Sequence, residues 1–99
     1  MPLIEVQPQR FRKIRYDAPR KHKVEIEIEA TAAIDIFIVP VREFDRWKRG
    51  SEDYGGDGFL RKKLLQLRVN IEDAGEGWYL ILDNRTDSVV AVRYEVYEV

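Results

Sequence analysis

The sequence predicts an all-β domain: an antiparallel two-sheet β-sandwich of the jelly-roll kind, with about 7–8 strands and one short helical turn near residues 42–49. Three observations carry this expectation. Apolar residues recur at every second position in short stretches, as in Val24, Ile26, Ile28 and Ala30, or Val90, Val92, Tyr94 and Val96; this is the pattern of a strand with one buried face. Turn-forming clusters separate the stretches at intervals near the roughly 8–12 residues usual in such folds. No segment sustains a helical period. A small closed barrel of the oligonucleotide-binding type is the alternative architecture.

Taken in order, residues 3–7 lie between Pro2 and Pro8 and read as an edge strand. Residues 10–16 carry Phe11, Ile14 and Tyr16 among four cations and read as a second strand with untidy parity. Asp17-Ala18-Pro19-Arg20 is a turn signal. Residues 23–30 form the cleanest strand, with Val24, Ile26, Ile28 and Ala30 on one side and Glu25, Glu27 and Glu29 on the other. A slip of one residue would bury three carboxylates, so the register is set. Thr31-Ala32-Ala33 reads as a link to the next strand, in which Ile34, Ile36 and Ile38 alternate with Phe37 and Val39. The link has no tight-hairpin signature, so the two strands are expected in different sheets. Pro40 closes the second of them.

Phe44 and Trp47, three apart among charges, predict a helical turn that folds two aromatics back over the sheet. Glycine is absent before position 50, and residues 50–58 then hold four of the six glycines, so backbone freedom gathers in that loop. Leu65, Leu67, Val69 and Ile71 mark another one-sided strand. Residues 78–82 are apolar on both parities and read as a central strand beginning with a core Trp78. Residues 83–87 turn the chain into the last strand, at residues 89–97.

The 99 residues make one domain, residues 1–99, with one two-layer core. Seventeen Lys and Arg against 18 Asp and Glu give a net charge of -1, which carries no overall bias toward polyanions. The absence of cysteine excludes disulfides, thiolate nucleophiles and cysteine metal sites. No apolar run approaches the roughly 20 residues of a spanning helix, and the N-terminus lacks the pattern of a signal peptide. The expectation is a cytoplasmic protein.

Three marks carry a resemblance: Phe44-Asp-Arg-Trp47-Lys-Arg-Gly50, then Tyr54-Gly55-Gly56, then Gly77-Trp78-Tyr-Leu-Ile-Leu-Asp83. Together they resemble a bacterial domain family of unknown function, the one numbered 1883, and more loosely the jelly-roll sandwiches of the GOLD and pre-peptidase C-terminal kind. The resemblance covers roughly residues 23–99. The turn Asn84-Arg85-Thr86-Asp87 departs from it, since a glycine-rich turn is expected there, and the basic N-terminal segment has no counterpart. The resemblance implies an accessory or interaction module and brings no catalytic residues.

The candidate sites follow from residue types. Trp47 and Tyr54, with Arg46 and Arg49, have the composition of an interaction hot spot. Arg10, Arg12, Lys13, Arg15, Lys21 and Lys23, interleaved with Phe11 and Tyr16, form the candidate surface for nucleic acid or an anionic partner. The competing reading has Glu25, Glu27 and Glu29 neutralising those cations across neighbouring strands. The three glutamates themselves read as a solvated face, and His22 as an exposed turn residue between two lysines. Asp53 and Asp57 flank Gly55-Gly56 without the spacing of a calcium loop, so no metal or other cofactor is expected. Ser51 and Ser88 lack a nucleophile elbow, and no glycine loop precedes a helix. The sequence therefore predicts a non-enzymatic module that presents its aromatic turn and glycine-rich loop to a protein partner. Binding of nucleic acid or an anionic surface through residues 10–23, and binding of carbohydrate on exposed aromatics, are the alternatives. A homodimer through edge strands is a further expectation, because the chain starts and ends in strands.

Overall fold

The structure is a computed structural model that describes residues 2–19, 23–71 and 75–99. The elements run β1 Leu3–Val6, β2 Arg10–Tyr16, β3 Lys23–Pro40, a 3₁₀ turn Val41–Glu43, α1 Phe44–Lys48, β4 Asp57–Asn70, β5 Trp78–Asn84 and β6 Val90–Glu98. The chain is thus mostly β, with one short helix and, among the described residues, a six-stranded antiparallel sheet curled into a half-barrel. Six strands stand where about 7–8 were expected.

The difference lies mainly in β3. The segments on either side of Thr31-Ala32-Ala33 are one 18-residue strand, and those three residues are not a link between sheets. The physical reason is parity: even-numbered residues turn inward without interruption from Val24 to Ile38, with Ala30 and Ala32 filling the middle. The small side chains sit where the strand changes partners. Up to Ala30, β3 pairs with β6; from Asp35 onward it pairs with β5. At the changeover the Thr31 hydroxyl accepts the Ala91 N–H at 3.1 Å. On its other side β3 pairs with β4 alone, from Lys23 opposite Asn70 to Ile38 opposite Asp57. β4 follows the bend through a bulge at Arg61, held at φ 56, whose N–H is taken by the Asp35 carboxylate at 2.9 Å.

The sheet order is β1-β6-β3-β5-β2, with β4 on the outside of β3. The last strand, β6, is therefore internal. The edges are β1, β2 and β4, so of the two terminal strands the first lies at a border and the last does not. The curl closes over one apolar interior formed by Val24, Ile26, Ile28, Ile34, Ile36, Ile38, Leu80, Leu82, Val90 and Val92, with Trp78 at one end. Gly77, at φ 101, is required where the chain enters β5, because a Cβ there would run into the Tyr16 carbonyl.

Candidate functional site

β5 is buried on both faces, as a doubly apolar strand predicts. Its even residues enter the main core, while Tyr79, Ile81 and Asp83 face outward beneath a second layer. That layer is built by α1. Phe44 lies 5.3 Å from Tyr79, and Trp47 packs edge-on against Phe11 at 5.1 Å and Phe37 at 5.3 Å. The aromatic turn does fold back over the sheet. The chain then brings Tyr54 to 6.2 Å from Phe37. Gly56 allows this approach, since a Cβ there would strike the Ile38 carbonyl.

Between α1, the loop and the end of β5 lies a cleft of about 500 Å³, walled by Phe11, Phe37, Trp47 and Tyr54. Gln9, Lys48, Glu52, Asp83 and Arg85 supply its polar lining. The Asp83 carboxylate is only 4% exposed and takes the Arg85 Nε–H at 2.8 Å. Gln9, in a left-handed conformation at φ 57, donates its side-chain amide to the carbonyls of Arg85 and Thr86 at 2.8 and 3.1 Å. A second opening of about 410 Å³ lies at the mouth of the half-barrel among Ile38, Pro40, Ile71 and Trp78. Among the described residues that line it, the charged side chain is Asp57, which is exposed.

Burial raises the Asp83 pKa above its ordinary value of 3.8, Arg85 pulls it back down, and Asp35, opposite on β3, adds to the rise. The net shift is upward, so folding binds this proton more tightly. Its contribution to stability is then full below pH 3.8 and shrinks as the pH rises through the higher folded-state value. Asp83→Asn keeps an acceptor for Arg85 and removes the titration. The difference in urea midpoint between wild type and variant is expected to fall as pH rises from about 3.5 to 7. A difference constant over that range would rule out the linkage.

Of the sequence-predicted residues, Trp47 and Tyr54 meet in this cleft; Arg46 and Arg49 do not line it. Arg46 turns to Glu43 at 3.4 Å, and Arg49 lies exposed in the turn after α1. The basic segment is divided. Lys13 rests its ammonium 4.1 Å from the centre of the Phe44 ring and 4.8 Å from that of Tyr79, a cation–π contact within the second layer. Arg15 donates to the Glu76 carbonyl at 2.8 Å and Arg12 to the Glu5 carbonyl at 3.4 Å. Arg10 lies with Arg12 on the opposite parity from Lys13 and Arg15, as expected. Lys23 begins β3, on a different strand from these four. Lys21, with Arg20 and His22, falls outside the described residues.

The expected neutralisation of β2 by Glu25, Glu27 and Glu29 does not occur, because β2 pairs with β5 and the glutamates lie on β3. Arg68 and Gln66 of β4 take their place: Arg68 sits 3.6 Å from Glu25, and Gln66 donates to Glu27 at 3.3 Å. Sequence reasoning missed Gln9, Phe11, Phe37, Asp83 and Arg85 as one group. Outward parity in β5 was the available signal, since an acid at its end continues the buried row Tyr79, Ile81.

No family model matches the chain, and no curated protein matches it. Among solved structures, a de novo designed double-stranded β-helix, determined by solution NMR, is similar over 97% of this chain and 96% of its own, at 11% identity and a TM-score of 0.56. At that identity the likeness is one of fold alone: the curled antiparallel β architecture. No helix among the described residues is long and apolar enough to cross a membrane.

Proposed function

We propose that the chain is a non-enzymatic interaction module whose cleft, between α1 and the loop carrying Tyr54, receives a segment of a protein partner. The observation that carries this reading is the aromatic wall of Phe11, Phe37, Trp47 and Tyr54 standing over a buried carboxylate and an arginine. Apolar rings with a few convergent polar groups are the usual makeup of a recognition pocket. The curled sheet, on this reading, is a two-layer jelly roll in which β3 and β4 run through both layers. All three marks that resemble the family numbered 1883 contribute residues to the cleft: Trp47 from the aromatic turn, Tyr54 from Tyr54-Gly55-Gly56, and Asp83 from the end of the third.

Trp47 touches three rings, so its truncation costs about 2 kcal/mol of stability and confounds a binding assay. Tyr54, which meets Phe37 alone among the rings, is the cleaner probe. Immobilised Tyr54→Ala is expected to retain about a tenth or less of the partner protein recovered by the wild type, with an unchanged thermal midpoint. Equal recovery removes the cleft from consideration. A glycan array run on both proteins separates the carbohydrate reading, which predicts Tyr54-dependent glycan binding instead.

A further inference from the structure

β4 pairs with β3 over both arms of the bend and with no other described strand, leaving its outer ladder edge unused. Its inner row is also unfinished. Leu65, Leu67 and Val69 face the core but are only half-buried, whereas Ile28, Ile26 and Val24 directly across the ladder are 2% exposed or less. One more strand beside β4 would complete the cover of that row. On the other face Leu64 is 71% exposed. β4 is strongly basic as well, with Arg61, Lys62, Lys63 and Arg68 against the single acid Asp57.

We infer that the outer edge of β4, over residues 64–70, accepts an extended segment of a partner protein as an added strand, with apolar residues at alternate positions and carboxylates between them. The register against β3 is unbroken over these residues, which lie opposite residues 23–29, and the ladder becomes irregular only beyond them. Seven residues span about 23 Å, and about half of them turn both N–H and C=O outward in an antiparallel ladder. Apolar residues of the added strand extend the row of Leu65, Leu67 and Val69. Its carboxylates share a face with Arg68, itself paired with Glu25, and with Lys62 just beyond residues 64–70, while Lys63 adds positive charge from the opposite parity. Edge lysines protect a sheet from pairing with its own kind. A second copy matched antiparallel along the whole of β4 sets two Arg61-Lys62-Lys63 runs on neighbouring rungs, which repels. The same charges select an acidic strand.

This surface lies apart from the cleft and stands or falls independently of it. The test is an amide NMR titration with an end-capped peptide of about eight residues alternating Glu and Val. Controls are the Lys/Val counterpart and a Glu/Val peptide N-methylated at alternate positions. The Glu/Val peptide is expected to shift the amides of residues 64–70 and slow their hydrogen exchange. The Lys/Val peptide binds at least about tenfold more weakly, the Lys62→Glu/Lys63→Glu variant loses about tenfold for Glu/Val, and the N-methylated peptide fails to bind. Undisturbed amides at 64–70, indifference to peptide charge, or survival of binding after N-methylation each overturns the inference. So does sedimentation showing a dimer whose 64–70 amides are protected without peptide, since the occupant is then a second copy.

Discussion

Replacing Asn84 by alanine is expected to remove about 3 kcal/mol of stability and to lower the thermal midpoint by about 15 °C. Asn84 is fully buried, at 0% exposure, as the last residue of β5, where the turn toward β6 begins. Its amide donates to the Val6 carbonyl at 2.9 Å and the Ser88 carbonyl at 2.7 Å. Its oxygen accepts the Thr86 N–H at 2.9 Å and lies 2.7 Å from the Thr86 hydroxyl. One side chain therefore ties the end of β1 to the turn and shapes the turn itself. Alanine strands the buried Val6 carbonyl, at a cost of about 1–3 kcal/mol, and removes the acceptor of the Thr86 N–H, while the Ser88 carbonyl keeps the Thr86 hydroxyl at 3.0 Å. Asn84→Asp is the sharper control, since it keeps the acceptor for Thr86 and the shape but points a carboxylate at two carbonyls. It is expected to lose at least as much as alanine at neutral pH. Urea unfolding with an unchanged slope and a lowered midpoint measures both. A midpoint within experimental error of the wild type in both variants would show that the turn holds without Asn84.

That residue also marks where sequence and structure part. Asn84-Arg85-Thr86-Asp87 was expected as a plain turn that departs from a glycine-rich pattern. Asparagine replaces the freedom of glycine with specific bonds, one of them to Val6, and nothing in the local sequence names Val6 as the partner. Local signals did give the inward parity of β3, the outward glutamates, the core placement of Trp78 and the helical turn, found as Val41–Glu43 followed by Phe44–Lys48. Pairing was less legible. β3 runs on through Thr31-Ala32-Ala33 because alternation with small residues leaves no apolar signal, yet the inward parity is intact. The first half of β4 was hidden in the opposite way. Residues 57 and 58 read as the end of the glycine-rich loop and residues 59–64, half of them charged, carry no alternation, but an edge strand bulged at Arg61 tolerates such a sequence. The cleft was half visible. Trp47 and Tyr54 stand seven residues apart, while Phe11 and Asp83 arrive from distant strands that only the β2–β5 ladder brings face to face.

Trp78→Ala is expected to cost about 3–5 kcal/mol, the range for emptying a buried aromatic site. Trp78 is 1% exposed at the start of β5, opposite Pro40 on one side and Tyr16 on the other. Its ring stacks on Tyr16 at 4.8 Å with a 21° tilt, so the substitution opens a cavity at the end of the core and uncovers a second aromatic. Tyr16 supplies an independent readout. Burial, with a smaller contribution from Tyr94, pushes its phenol from 10.0 up to about 12. A raised tyrosine pKa means the folded state holds the proton more tightly, so its contribution is full below pH 10.0 and is lost as pH rises toward about 12. Without the indole, water reaches the phenol and its pKa moves back toward 10.0. Ultraviolet titration of tyrosinate, under conditions where the variant stays folded, is expected to show one phenol titrating earlier than in the wild type. Trp78→Phe refills most of the volume and keeps a ring over Tyr16, so it is expected to recover most of the stability and the late titration together. If the phenylalanine variant restored stability but Tyr16 still titrated early, the stacked pair would not be the source of the shift. The end of the core would then be sealed by packing around Pro40 rather than by the two rings.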